Sequence, residues 1–331
     1  MNDRAVALLD HYDIEVLRTR KGRSAILCDT NQGCLIFKEY TGNPEKIKVQ
    51  NRILSKVAES GVLPVEEIIP TKEQNLLTED ADGKKYVLKS YFENRECNIH
   101  DAEECRDAVK TLARLHKVML LDKEDVDKFG LSVFSMEKEY EKHNKELRKV
   151  WRYLHKKSQK SFFETALLQE YDYYLEQALE IVSEWQAFAL ESDLEYIKEQ
   201  GMFCHGDYQY HNIIKTGQTF SIINFERCLM DNPIRDLCLF MRKLLEKSNW
   251  SKKLGESLLD AYNSIRPLSA RSFVELYYRL AYPEKFWKIV NFYYNTGKAW
   301  IPDKNREKLE VLSGQEKEKQ VFLDTVFRTV S

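Results

Sequence analysis

The residues best suited to chemistry lie together in His205-Gly206-Asp207-Tyr208-Gln209-Tyr210-His211-Asn212, followed by Ile222-Ile223-Asn224-Phe225-Glu226. Phosphoryl transfer needs a carboxylate that accepts or orients the proton of an attacking hydroxyl. It also needs oxygen ligands that hold Mg²⁺ against the nucleotide phosphates. Asp207 suits the first task and Asn212 the second. The competing reading is a chance loop that happens to contain an Asp and an Asn. Against it, the segment falls between helical stretches, an apolar strand-like run follows it, and a candidate lysine, Lys38, stands far upstream.

Such a loop works only if other elements hold it in place. The first ninety residues read as short strands at 24–28, 34–37, 65–69 and 86–91, rich in β-branched and apolar residues and separated by polar turns. Asp29-Thr30-Asn31-Gln32-Gly33 supplies turn residues, so a hairpin is the simplest link, with Lys38 at the end of its second strand. After Pro44, the residues Ile47, Ile53, Leu54 and Val57 recur at helical spacing until Gly61. From Asp101 the pattern turns mainly helical, with Ala108, Leu112, Leu115 and His116 on one face and long helical stretches at 137–160 and 162–198. Residues 204–225 revert to short apolar runs, and helices resume afterwards. The pattern predicts an α+β fold with a small N-terminal sheet lobe at 1–93 and a helical lobe at 94–331 that carries the loop at 205–212.

Composition narrows the classes. The 331 residues are 43% hydrophobic and 31% charged, which excludes wholesale disorder. Lys+Arg 51 against Asp+Glu 53 leave a net charge of −2, so no global field draws the chain to nucleic acid, and nucleic acid is not expected as a partner. No apolar run is long enough to cross a bilayer, so a cytoplasmic protein with no membrane partner is expected. The seven cysteines are scattered without a C-x-x-C pair, which suits reduced thiols and no structural metal. A basic stretch around Lys142–Lys160, interspersed with acids, reads as a solvated helix face, with polyanion docking as the weaker alternative.

The chain resembles the CotS family of spore-coat-associated proteins, within the aminoglycoside-phosphotransferase and choline-kinase group. The resemblance is carried by Lys38 after a hairpin, Leu112-Ala113-Arg114-Leu115-His116, the 205–212 loop and Asp231-Asn232-Pro233-Ile234-Arg235-Asp236-Leu237. Ala281-Tyr282-Pro283-Glu284-Lys285-Phe286-Trp287 and Tyr293-Tyr294 add to it. The D-x-x-x-x-N spacing is that of the protein-kinase catalytic loop, and H-G-D in place of H-R-D is similar to the small-molecule kinases. The family implies a bilobal protein-kinase-like fold with a small antiparallel-sheet N-lobe and a larger mainly helical C-lobe. ATP would lie between the lobes, with an acceptor of unidentified structure above Asp207.

On that resemblance Lys38 orients the nucleotide phosphates, and Gln50 stands where the helix acid that pairs with this lysine is usual. The backbone from Ser90 to Phe92 would contact adenine. Asp236 hydrogen-bonds the amides of the catalytic loop, beside His205. Asn224 replaces the metal-binding Asp and removes a negative charge. Two unit charges about 4 Å apart at an effective dielectric of about 20 interact by about 4 kcal/mol, or roughly a thousandfold. If the segment is extended, Glu226 projects to the same side as Asn224 and joins Asn212 and Asn224 around Mg²⁺. The phosphate-covering loop Thr19-Arg20-Lys21-Gly22-Arg23-Ser24 has one glycine, with Arg20, Lys21 and Arg23 offering charge instead.

Two functions fit this pattern. One is ATP-dependent phosphorylation of a small-molecule hydroxyl or amine. The other is a catalytically weak or inactive pseudokinase scaffold that meets other coat proteins during sporulation. The spore coat is the setting the resemblance implies in both.

Overall fold

The computed structural model describes residues 6–22, 25–295 and 303–328. Strands β1 (Val16–Gly22), β2 (Ala25–Thr30) and β3 (Gly33–Glu39) form a continuous antiparallel meander. Beside β3 lies β6 (Lys85–Ser90), which also pairs with β4 (Ile68–Ile69) and β5 (Thr78–Glu79). Strand alternation gives this sheet two different faces. Ile26, Cys28, Leu35, Phe37, Tyr86 and Leu88 pack with Leu8, Leu9 and Tyr12 into an apolar cluster. The register Ile36↔Lys89 and Lys38↔Val87 puts both lysines on the opposite face.

Two expectations for this region need correction. The stretch at 65–69 is a strand only over Ile68–Ile69, because Val65 instead makes a parallel bridge to Ile222. Strand β1 runs through the segment read as a phosphate-covering loop. It lies at the sheet edge with most side chains exposed, so it carries no apolar period. Arg23 and Ser24 lie outside the described residues.

Helix α1 (Pro44–Glu59) starts where Asn43 accepts a hydrogen bond from the Glu45 amide and Pro44 takes the first turn. Its apolar stripe buries Ile47, Ile53, Leu54 and Val57. Helix α2 (Ala102–Val118) is capped by Asp101 and buries Ala108, Val109, Leu112 and Leu115, with His116 in its last turn. The short α3 (Lys123–Lys128) follows.

Further helices are α4 (Met136–Lys156), α5 (Phe162–Phe188), α6 (Glu191–Glu199), α7 (Ile234–Lys247), α8 (Lys252–Asn263), α9 (Ala270–Ala281), α10 (Glu284–Asn295), α11 (Asp303–Gly314) and α12 (Glu316–Val326). The single helix read at 162–198 is two, α5 and α6. Ala189 is extended, and the Asp193 carboxylate accepts from the Leu190 amide, which starts a new helix there. The chain divides into two compact units. One comprises the described residues of Met1–Leu131, Gln200–Asp236 and Ala261–Arg266, and the other those of Ser132–Glu199, Leu237–Asp260 and Pro267–Ser331. In the second, Tyr140 stacks on Tyr282, whose hydroxyl donates to Asn144 at 2.8 Å. None of the seven cysteines is in a disulfide. No helix among the described residues is long and apolar enough to cross a membrane.

Candidate active site

The loop at 205–212 is held at both ends by short strands of the first unit. Before it, β7 (Phe203–Cys204) pairs with β10 (Leu229–Met230); after it, a 3₁₀ turn (Tyr210–Asn212) leads into the hairpin of β8 (Ile213–Thr216) and β9 (Thr219–Ile222). Gly206 sits at φ +78, and a Cβ there would come within 2.1 Å of the Arg227 carbonyl oxygen. That close approach accounts for glycine in the middle of the H-G-D triplet. Gly206→Ala should therefore cost well over the 1–2 kcal/mol, roughly, of a left-handed backbone alone. Gly217→Ala is the control, since Gly217 has φ +61 but open space around it. Denaturant midpoints of the two variants should separate clearly.

Asp236, in the first turn of α7, anchors the loop. It accepts the His205 amide at 2.6 Å and the Gly206 amide at 2.8 Å. Its Oδ2 also lies 3.0 Å from His116 Nε2, while His116 Nδ1 is 2.8 Å from the Tyr262 hydroxyl. Burial holds the His116 imidazole below its ordinary range, and its Nε2 faces the Asp236 carboxylate. Burial alone would raise the Asp236 carboxyl, but these donors outweigh it and keep it below the usual carboxylate range. Tyr208, fully buried, donates to the Ala108 carbonyl at 2.8 Å and ties the loop to α2. His205 accepts the Asp207 amide through Nδ1 at 3.1 Å, which leaves Nε2 to donate to the Ile223 carbonyl at 2.9 Å.

Asp207 is half-buried. Its carboxylate accepts from Gln209 Nε2 at 2.6 Å and faces Asn212 Nδ2 at 3.3 Å. Asn212 Nδ2 also donates to the Asp207 carbonyl at 2.8 Å. Asn212 Oδ1 accepts from Asn224 Nδ2 at 2.7 Å, and Asn224 Oδ1 accepts from Lys38 Nζ at 3.0 Å. The structure thus brings Asp207, Asn212, Asn224 and Lys38 into one chain of contacts.

Glu226 belongs to the same group but not through an extended backbone. Asn224 is left-handed at φ 68, ψ 55, and Phe225–Arg227 form a 3₁₀ turn packed on α1, so the two-residue period does not apply there. One Glu226 oxygen lies 2.5 Å from Lys38 Nζ and 2.6 Å from Lys89 Nζ. Burial alone would raise the Glu226 carboxyl, but Lys89 and Lys38 hold it at about 2.

Lys89, 0% exposed, also meets Glu66 at 2.9 Å. Its burial opposes the charge, yet the two carboxylates keep the ammonium above its usual range. Glu66 in turn accepts the Phe225 amide at 2.9 Å. The Val65–Ile222 bridge, with the Glu66 amide donating to the Ile222 carbonyl at 3.1 Å, delivers Glu66 to this place. Sequence reasoning missed both residues. The available signal was a lysine inside the apolar run Tyr86-Val87-Leu88-Lys89, a central strand where a charge demands a partner.

Other candidates stand apart from this chain. Gln50 is 2% exposed, but its amide nitrogen has no partner and no hydrogen bond among the described residues joins it to Lys38. The Ser90 amide donates to the Glu67 carbonyl at 2.9 Å and the Tyr91 amide to the Cys34 carbonyl at 3.0 Å. Phe92 follows them, half-buried, with its amide outside these backbone pairings. Arg20 bridges Asp29, at 3.0 Å, and Glu93, so its guanidinium is already engaged. As a magnesium site the remaining oxygens fit poorly. Asn212 Oδ1, Asn224 Oδ1 and one oxygen of Glu226 each face an N–H donor, whereas Mg²⁺ demands open oxygens in near-octahedral array.

Comparison with known proteins places this geometry in context. An aminoglycoside phosphotransferase from Alicyclobacillus acidocaldarius subsp. acidocaldarius DSM 446 superposes with a TM-score of 0.83 at 19% identity, covering 98% of this chain and 96% of that one. Spectinomycin phosphotransferase, solved with ADP and spectinomycin, superposes at 0.67 with 14% identity, covering 97% of each. In sequence, spore coat protein S of Bacillus subtilis (strain 168) is 25% identical over 321 residues, covering 95% of this chain and 90% of the relative. The family model described as "Spore coat putative kinase YutH" matches residues 5–326. A match of that extent, on a small antiparallel sheet followed by a mostly helical region, makes the chain a member of this spore coat, kinase-like family.

Proposed function

We propose that the chain is a nucleotide-binding protein of the spore coat that retains slow phosphotransfer from ATP to the hydroxyl or amine of a small molecule. The observation that supports it is the preserved setting of Asp207. Its loop amides are gathered by Asp236, and its carboxylate is oriented by Gln209 and Asn212, one contact chain away from Lys38. In the step itself the acceptor's proton passes to Asp207 as the acceptor oxygen or nitrogen bonds to the γ-phosphorus. The bond to the β–γ bridging oxygen breaks, and ADP leaves with the electron pair. Lys38 orients the phosphates, and the backbone around Phe92, within 90–92, meets adenine. The first ninety-three residues would form the nucleotide lobe.

A specific observation favours a second reading. With Asn224 in place of an acid and Gln50 in place of a pairing glutamate, the same site holds nucleotide without turnover and the chain serves as a scaffold in coat assembly. ATP titration followed by thermal unfolding tests what the two share. Ligand at about 100 times its Kd should add about 2.7 kcal/mol of stability. No shift with ATP or ADP, at any magnesium concentration, would overturn both.

A further inference from the structure

We infer that this site takes its nucleotide without a divalent cation, the Lys38 ammonium standing where the ion would stand, so that the ligand is the free nucleoside triphosphate. The inference rests on the reading of the pocket as a nucleotide site. Its basis is the direction of the hydrogen bonds. Lys38 donates to Asn224 Oδ1 at 3.0 Å and Asn224 Nδ2 donates to Asn212 Oδ1 at 2.7 Å. Turning the Asn224 amide over would set its N–H groups against an ammonium and its oxygen against another oxygen, so the orientation is fixed by its neighbours.

Glu226 closes the arrangement at 2.5 Å from Lys38, and Lys89 holds it from behind at 2.6 Å. Two of the oxygens suited to an ion, Asn224 Oδ1 and one of Glu226, therefore converge on a cation the protein already carries, and the third, Asn212 Oδ1, is taken by the Asn224 amide. An ammonium has three donors. Asn224 and Glu226 take two, and the third remains for a phosphate oxygen. To admit Mg²⁺ there, Lys38 would have to leave, and the Asn212 oxygen would have to turn away from the Asn224 amide that it now accepts from.

Position 224 controls the choice. An aspartate there tolerates the left-handed backbone, since Asn and Asp are the side chains that visit it most readily. It has no N–H to give Asn212 Oδ1, and it adds a negative charge. Asn224→Asp should accordingly convert the pocket to magnesium dependence.

The test is equilibrium binding of ATP to the full chain, once in excess EDTA and once in excess MgCl₂. The wild type should bind at least about tenfold more weakly in MgCl₂, which ties up ATP as its magnesium complex, than in EDTA, while Asn224→Asp should bind at least about tenfold more tightly in MgCl₂ than in EDTA. Lys38→Gln, which keeps a donor but loses the charge, should lose at least about tenfold in EDTA. Wild-type binding that requires MgCl₂ overturns this inference and leaves the nucleotide reading standing. Absence of ATP binding in both conditions overturns the nucleotide reading itself. Indifference of Asn224→Asp to magnesium, or of Lys38→Gln to loss of charge, removes Lys38 from the ion's place.

Discussion

Asp207→Asn should slow phosphoryl transfer from ATP by about 10²–10⁴-fold, the usual contribution of a positioned general base, while changing the Kd for ATP by no more than about threefold. The substitution is nearly isosteric and spares the loop. The Asp207 amide still donates to His205 Nδ1 and its carbonyl still accepts from Asn212, because both are backbone groups. One side-chain oxygen remains to accept from Gln209, now at 2.6 Å. The new amide nitrogen faces Asn212 Nδ2, a modest local conflict that the half-exposed position can relieve. What disappears is the capacity to take a proton. Single-turnover transfer and ATP binding, measured on the same preparation, separate this loss from a binding defect. Equal transfer rates in wild type and variant would exclude Asp207 as the base, and no transfer by the wild type would leave only the scaffold reading.

How far the sequence could be read depended on the separation of the residues involved. The 205–212 loop is contiguous, so residue type and spacing sufficed to bring Asp207 and Asn212 forward, and the hairpin before Lys38 carries its own turn residues. The helices declared themselves through apolar stripes and caps such as Asn43 and Asp101. Lys89 gave only the signal of a charge inside an apolar run and Glu66 gave none, because their links to Glu226 and Phe225 span 137 and 159 positions and depend on the Val65–Ile222 bridge, which no local period encodes. Glu226 was picked out through a strand rule, yet it reaches Lys38 from a 3₁₀ turn after a left-handed asparagine. Gln50 was weighed only as a deficient partner. The acid next to Lys38 comes instead from the turn that packs on Gln50's own helix.

The buried pair makes the second large prediction. Lys89→Met should cost about 3–5 kcal/mol, the usual result of removing one member of a buried ion pair. Methionine fills much of the lysine stem's volume, so packing changes little and the loss reports charge. Glu66 has nowhere to turn: it is buried, and among the described residues its other donor is the Phe225 amide. Glu226, half-buried, keeps Lys38 and suffers less. The double variant Lys89→Met/Glu66→Gln should therefore recover most of the stability, because a neutral glutamine still accepts from Phe225 without burying an unpaired charge. Adding Glu226→Gln to Lys89→Met instead should recover little. Native-state hydrogen exchange over residues 64–69 and 222–228 reads these opening energies where the pair sits. Comparable rescue by the two glutamine substitutions would mean that Lys89 serves Glu226 as much as Glu66. Unequal rescue in the predicted order identifies Glu66 and Lys89 as the brace that holds the 225–227 turn, and with it Asn224, against the sheet.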